Sequence, residues 1–599
     1  MYGIAGFTGA PSLDRATALL GALAHRGPDD QDTLELPGLT LLHTRLSIQD
    51  LKGGHQPMQR GPLNIVFNGE IYNHQALRQS LKTDFKTRSD TETLLALFEA
   101  HGKKMLEKLD GMFAFALHDA RDNTLFLARD RYGKKPLYYS FQNGFTFASE
   151  IGALAKSDRF AMNHSGVEAF LRFGFIPFEH TVYEGVFELP AGSWLRLDLN
   201  DNTRQTGRWF NPAPLYAPQK LGDEAAIEAV EAALKKSVQD RLTASDVEVG
   251  AFLSGGIDSS LVSYYAAELK PGLKTFTVSF EGGYDEAPQA AKTARQIGSV
   301  HHEIRIETRL KEDIDRILAN YGEPFFDSSA IPSWYVAREA RKSLKVILNG
   351  DGADELFAGY RRYVPEANGW YALAKPFSPL AAWLPKPADK MGPYNWLYRL
   401  LLAAGESDPL AFWLKTRTDI AEGVIDWKQN PIFDQARSFL QNLPAVSPLS
   451  RALLADQGLL LAGDLLVKMD IAAMAHALEG RSPFLSRDLA LLAPQLPDSA
   501  KIRGRSTKWI LRELARRRLG GAVADAPKRG FEVPLKNWVE TDLREPIFDR
   551  LQKPNALWKN YLSEKTVKTV LEKTAPIDAE KRARLLWTLF CLETWNEQK

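Results

Sequence analysis

Residues Val249–Ser260 read VGAFLSGGIDSS: an apolar strand pattern, then Ser254, Gly255, Gly256, Ile257, Asp258, Ser259 and Ser260, then a helical pattern. Glycines let backbone N–H groups come close to a phosphate, and the positive end of the following helix adds to the attraction. The bland alternative is a tight strand-to-helix turn with a Ser/Asp cap, but one serine before two glycines and two more after them make an unusually dense set of donors. No GxxxxGK[ST] is present, so the loop is not of the Walker type.

Working outward, apolar strands ending in glycine loops recur between long amphipathic helices: EVGAFLSGG, LKTFTVSF and LKVILNGDG. Strands alternating with helices imply a largely parallel sheet with ligands at its carboxyl edge. The third of these strands runs into NGDGADELFAGYRRY, Asn349–Tyr363. Asp351, Asp354 and Glu355 beside glycines at a strand end are costly unless a cation or a cationic substrate group neutralises them. Mg²⁺ bridging phosphate oxygens would do so, while one of the acids serves as an ordinary helix cap. Downstream, LLVKMDIAAMAHALEGRSPFL supplies Lys468, Asp470 and Arg481, and RGRSTKWILREL supplies Lys508. A lysine is a natural point charge for phosphate or a tetrahedral intermediate, although a single lysine is more often solvated surface.

Residues 1–205 read differently, as short alternating apolar runs broken by Gly, Pro, Asn and Asp, such as LTLLHTRLSI and LNIVFNGEIYN. This predicts a strand-rich domain. The stretch 206–223 is polar and proline-bearing and predicts a linker, leaving 224–599 as a second domain. A chain of 599 residues, 44% hydrophobic, exceeds what one core serves. Lys plus Arg number 75 against 74 for Asp plus Glu, so no global field favours nucleic acid or anionic lipid. The single cysteine, Cys591, excludes an intramolecular disulfide framework and predicts a buried, inert thiol in a reducing compartment. No run reaches the roughly 18 to 20 apolar residues of a membrane span, and MYGIAGFTG lacks a signal-peptide pattern, so the cytoplasm is expected.

The blocks FLSGGIDSS, TFTVSF, YDEA (Tyr284–Ala287), NGDGADELFAGY, HALEGRSPFL, STKWILRE and KRGFEVPL (Lys528–Leu535) closely resemble the asparagine synthetase B family over essentially the whole chain. SGGIDSS is similar to the pyrophosphate loop of N-type ATP pyrophosphatases, which cleave ATP between the α and β phosphates. The resemblance implies ATP and Mg²⁺ as cofactors. It places Leu253, Val278, Asn349 and Gly350 at the nucleotide, Ser254, Gly255, Gly256, Asp258 and Ser259 at pyrophosphate, Asp258 and Asp351 at Mg²⁺, and Lys508 at the transition state. Asp354 and Glu355 would meet the substrate. Members that make asparagine usually carry glutamate where this chain has Asp351, which opens the acid substrate to compounds other than aspartate.

N-terminal blocks GIAGF, HRGPDD (His25–Asp30), RLSIQD (Arg45–Asp50), FNGEIYN (Phe67–Asn73) and RSDTE (Arg88–Glu92) resemble a class II glutamine amidotransferase. The implied fold is an Ntn-type αββα sandwich followed by a parallel α/β synthetase domain with added helices. In that family Arg45 would clamp the glutamine carboxylate, Glu70 and Asp90 would receive its ammonium, and Asn68 and Gly69 would form the oxyanion hole. A zwitterion does need a bidentate cation at one end and carboxylates at the other.

Family members begin Met-Cys-Gly-Ile and attack with the cysteine thiolate exposed by methionine removal. Here Tyr2 stands before Gly3. A phenol ionises near pH 10 on a rigid ring, and a bulky second residue is expected to retain Met1, so both catalytic groups would be lost. Neither Thr8 nor Ser12 substitutes. Three explanations stay open: use of free ammonia or another amine, an altered position 2, or a regulatory glutamine pocket. The expected reaction is adenylation of a carboxylate, aspartate first, followed by amine attack with release of AMP. Rivals are a cyclising ligase whose substrate supplies its own amine, an amidotransferase for a sugar acid or natural-product acid, and a nucleotide- or glutamine-binding pseudoenzyme. A homodimer is expected from the resemblance.

Overall fold

A computed structural model describes residues 2–219, 221–280, 286–306, 309–385, 392–417, 420, 429–444, 446–526, 533–575 and 577–599. Tyr284 and Asp285 of the YDEA block and residues 528–532 of KRGFEVPL lie outside them.

Two six-stranded sheets form the N-terminal part. One runs Val186–Glu188, Tyr138–Ser140, Thr146–Ala148, Tyr2–Thr8, Leu39–Arg45, Asp30–Leu36, and the other runs Arg204–Arg208, Ser193–Asp198, Thr124–Arg129, Gly111–Asp119, Leu63–Ile71, Met58–Arg60. Every pairing in them is antiparallel. The two-residue period of a strand sorts side chains between layers. Ile4, Leu39 and Leu41 of the first sheet meet Val66, Ala114 and Leu127 of the second, while Ala5 and Phe7 turn to the helix side. Helices Leu13–Leu23 and Ile151–Ser157 cover the first sheet and Asp90–His101 covers the second, giving the expected αββα sandwich.

Beyond Asp223 the architecture changes. Five parallel strands lie in the order Val300–Ile306, Lys274–Phe280, Val249–Phe252, Val346–Leu348, Glu479–Arg481. One face carries helices Asp223–Thr243, Ile257–Leu269 and Trp509–Leu519, and the other carries Ala330–Arg341 and Leu466–Met474. The fold is therefore α/β, with an antiparallel sandwich followed by a parallel sheet with added helices. Among the described residues no helix is long and apolar enough to cross a membrane.

The two parts share one apolar core. Ala5, Phe170 and Val186 belong to the same buried cluster as Trp413, Trp587 and Trp595. The last helix, Ala579–Gln598, is capped by Asp578, and its Trp595 ring meets Tyr183 edge-on at 5.7 Å. Cys591 lies inside this helix, and burial pushes its thiol up.

Candidate active site

Strand Val249–Phe252 is central in the parallel sheet, and its carboxyl end delivers Leu253 and Ser254 into a cleft of about 660 Å³. The loop folds on itself through its hydroxyls. Ser259 Oγ accepts from Ser254 N at 3.1 Å and lies 2.8 Å from Ser254 Oγ, which accepts from Gly256 N at 3.1 Å. Helix Ile257–Leu269 starts immediately behind, so its positive end faces the cleft.

The neighbouring strand, Val346–Leu348, delivers the acidic loop. A side chain at Gly350 would sit 2.9 Å from Asp258 Cβ, so the two loops touch only because this residue is glycine. Leu253, Ser254, Gly255, Gly256, Asp258 and Ser259 line the same cleft as Val278, and so do Asn349, Gly350, Asp351, Asp354, Glu355 and Lys508. The residues that the sequence singled out for the nucleotide, the metal and the acid thus come together.

Lys508 is the hub. It adopts left-handed backbone angles (φ 51°) at the start of helix Trp509–Leu519 and is 3% exposed. Its Nζ lies 2.5 Å from Asp258 Oδ2 and 2.7 Å from Asp354 Oδ1. Gly359 leaves the space through which the lysine stem passes. Asp351 Oδ2 accepts from Asn349 Nδ2 at 2.7 Å, from Ser482 Oγ at 3.4 Å and from Lys134 Nζ, a residue of the N-terminal sandwich, at 3.1 Å. Burial and the neighbouring Asp354 push Glu355 up to about 7, and Tyr360 Oη donates to it at 2.5 Å. Lys468 also lines the cleft, 2.9 Å from Asp327. It follows a π-helical stretch, Gln457–Leu465, whose Asp464 burial pushes well above the usual carboxylate range.

Asp470 and Arg481, from the block that also supplies Lys468, turn the other way. Asp470 is fully buried 2.7 Å from both Arg26 and Lys135 of the sandwich. Burial alone would push its carboxyl up, but these two cations outweigh that and hold it well below the usual range. Burial in turn pulls Lys135 down to about 8. Arg481 reaches Glu479 at 2.5 Å and Glu70, in the expected glutamine pocket, at 3.1 Å.

Around that pocket, Arg45 pairs with Tyr2 across adjacent strands and gives its Nη2 and Nη1 to the carbonyls of Asp50 and Leu51, at 2.8 and 3.2 Å. Gly69 has φ 152°, and a side chain there would strike the Met112 backbone. Asp90 accepts from Ile71 N at 2.9 Å, and burial raises it to about 6. Tyr2 lies among them, 3% exposed, its ring 4.8 Å from His43 and 6.3 Å from Phe67. Tyr2 N donates to Asn68 Oδ1 at 3.2 Å. Burial raises the phenol well above its ordinary value, and Asp90 and Glu70 push it the same way. Asn68 Nδ2, Glu70 Oε1 and Arg45 Nε are buried with no hydrogen-bond partner among the described residues.

Sequence reasoning assigned no role to Lys134, Lys135 or Arg26. Their partners lie far away in the chain, so no local pattern marks them. Arg361 and Arg512 also line the cleft wall and were missed, because an arginine beside a loop carries no pattern of its own.

Compared with known proteins, the family described as asparagine synthase matches residues 229–597, and the one described as glutamine amidotransferase domain matches residues 1–210. A putative asparagine synthetase (glutamine-hydrolyzing) of Mycobacterium tuberculosis is 33% identical over 573 residues, covering 89% of this chain and 87% of that protein. Asparagine synthetase (glutamine-hydrolyzing) 1 of Bacillus subtilis is 32% identical over 597 residues, covering 96% and 92%. Amidase chyE of Penicillium rubens is 26% identical over 642 residues, covering 94% and 91%.

Proposed function

Because the chain belongs to the asparagine synthase family, with a glutamine amidotransferase domain ahead of the synthase domain, we propose that it is an ATP-dependent amide-forming ligase that no longer draws nitrogen from glutamine. The carbon–nitrogen ligase class follows from the family, whereas the acid, the nitrogen donor and the residue roles are our reading. We divide the chain into an amidotransferase-like domain, 1–205, a connection, 206–223, and a synthetase domain, 224–599.

The observation that carries the reading is Lys508 held between Asp258 and Asp354 in the cleft of the SGGIDSS loop. Asp258 Oδ1 is buried there with no hydrogen-bond partner among the described residues, which suits a divalent cation. Those residues hold no cluster of three or more His, Cys, Asp and Glu able to bind a metal alone, in keeping with Mg²⁺ carried largely by phosphate oxygens. Asp258 and Asp351 would hold Mg²⁺, which when bound neutralises the phosphate oxygens of ATP.

In the proposed reaction a substrate carboxylate oxygen attacks the α-phosphorus of ATP, and the bond to the β-phosphate oxygen breaks to release pyrophosphate. Ser254, Ser259 and the start of helix Ile257–Leu269 orient the leaving phosphates, and Lys508 moves from its carboxylates to the developing charge. Leu253 and Val278 hold the base, with Asn349 and Gly350 beside it. Ammonia then attacks the acyl carbon, loses a proton, and AMP leaves. Asp354 and Glu355 face the cationic group of the acid.

Tyr2 supports loss of the glutaminase step. A phenol held un-ionised by burial is no nucleophile at neutral pH. Its ring lies among Arg45, Asn68, Gly69, Glu70 and Asp90, which would otherwise surround glutamine, and Glu70 is bound to Arg481. Aspartate is the leading acid. The engagement of Asp351 with Lys134 favours, as a second reading, an acid other than aspartate, because the loop that meets the substrate is shaped by a sandwich residue.

The test is pyrophosphate release from ATP and Mg²⁺ with L-aspartate, comparing ammonium with glutamine, with the amide identified by mass spectrometry. Asparagine from ammonium alone is the expected result. Equal rates with glutamine would overturn the loss of the glutaminase, and no release with aspartate would overturn that substrate.

A further inference from the structure

A second cavity, of about 280 Å³, opens beside the nucleotide cleft and shares Arg361, Thr507 and Arg512 with it. Arg505 and Ser506 add to its lining, and Glu513, Arg516 and Asp525 also contribute.

The arginines of this region fall into two sets. Arg516 holds Asp525 at 2.8 Å, and nearby Arg503, Arg517 and Arg518 hold Asp223, Glu224 and Glu231 at 2.8, 2.6 and 2.6 Å. Among the described residues, Arg361 and Arg505 hold no carboxylate. Arg512 is anchored by the carbonyl oxygens of Thr507, Ala524 and Ala526 instead of an acid. Burial lowers its guanidinium from the ordinary value, as expected for a cation without a full counter-charge. Arg505 is exposed and rests beside the Trp370 ring at 5.8 Å. Three guanidinium groups with no carboxylate partner among the described residues thus meet at one cavity, two of them open to solvent, and their planar forks match phosphate oxygens.

The adjoining cleft has the opposite balance. Asp258, Glu286, Asp327, Asp351, Asp354 and Glu355 line it against Lys468, Lys508 and the two shared arginines. Pyrophosphate set free there leaves acidic surroundings, and the nearest unneutralised positive charge lies past Thr507. We propose that this arginine pocket is a second diphosphate site, which receives pyrophosphate as it leaves the nucleotide loop. The inference rests on the reading of the cleft as the place where ATP is cleaved.

The experiment uses the full chain saturated with α,β-methylene-ATP and Mg²⁺, which fills the cleft without being cleaved, and titrates inorganic pyrophosphate by calorimetry. The wild type is expected to bind about one equivalent. In the double variant Arg505→Ala with Ser506→Ala, both outside the nucleotide cleft, pyrophosphate affinity falls roughly 10-fold while the analogue still binds, which also reports an intact fold. No pyrophosphate binding to the analogue-saturated wild type, or unchanged binding in the double variant, overturns the proposal. A parallel titration with uridine diphosphate separates the sources of the group: binding as tight as that of pyrophosphate would mean that the pocket serves a diphosphate ester on the acid substrate and would overturn the product-exit role. If the analogue itself does not bind, the reading of the cleft falls, and the pocket is then judged by whether the double variant loses pyrophosphate binding to the free protein.

Discussion

The Lys134 ammonium lies 3.1 Å from the Asp351 carboxylate, so a side chain of the N-terminal sandwich completes a loop of the nucleotide cleft. Lys134 is 5% exposed, and its backbone N–H is fixed by Asp130 at 3.0 Å. Lys134→Met keeps the stem and removes the charge. We expect the rate of pyrophosphate release to fall about 10-fold and stability to fall by about 2 kcal/mol. Urea unfolding and a pyrophosphate assay check this, and a variant unchanged in both would show that Asp351 does not need the lysine.

Lys508→Ala should reduce pyrophosphate release roughly 100- to 1,000-fold with little change in the KM for ATP, if the lysine, as proposed, meets charge that develops only in the transition state. Gly359→Ala should do nearly as much harm, since the added methyl group would collide with Asp354 and the Lys508 stem. Full activity in Gly359→Ala would mean that the lysine does not follow the observed path.

Tyr2 is packed like a core residue, so Tyr2→Ala should cost about 3–5 kcal/mol, whereas Tyr2→Phe should cost less than about 1.5 kcal/mol. Thermal unfolding of the three proteins decides it. A Tyr2→Ala protein as stable as the wild type would show that the ring does not fill the pocket.

Asp470→Asn would leave Arg26 and Lys135 without their shared buried counter-charge, at a cost of about 3–5 kcal/mol. The sign with pH follows from linkage. The folded Asp470 carboxyl sits below its ordinary value of 3.8, so its stabilisation is present above that value and is lost as pH falls through the folded one. The gap in stability between wild type and variant should therefore shrink below pH about 4, as acid titration of unfolding would reveal.

Glu355 runs the opposite way. Its folded value, about 7 against an ordinary 4.5, means that the folded state holds the proton more tightly, so any stabilisation is complete below 4.5 and is lost as pH rises through about 7. Glu355→Gln should raise the Tm relative to wild type at pH 8 and leave it unchanged near pH 4. An equal shift at both would exclude ionisation as the cause.

Much of this was legible in the sequence, because the informative residues sit at strand ends. The glycines and serines of Val249–Ser260 and the acids of Asn349–Tyr363 are local patterns, and a parallel sheet must bring them to one edge. What stayed hidden depended on contacts between distant segments. Asp470 lies two residues from Lys468 in sequence, yet that half-turn of helix directs it to Arg26 instead of the cleft. Lys134 has nothing in its neighbourhood to announce Asp351, 217 positions away. The arginines of the second cavity stand apart only because, among the described residues, Arg503, Arg516, Arg517 and Arg518 each hold an acid.

On the proposed loss of the glutaminase, the N-terminal unit would ordinarily be dispensable and erode by truncation. The clasp on Asp470 prevents that. Removing the first two hundred or so residues would strip Arg26 and Lys135 from the buried Asp470, and Lys134 from Asp351 in the cleft. Under that proposal, selection for amide synthesis alone would preserve the sandwich as a scaffold fused in cis.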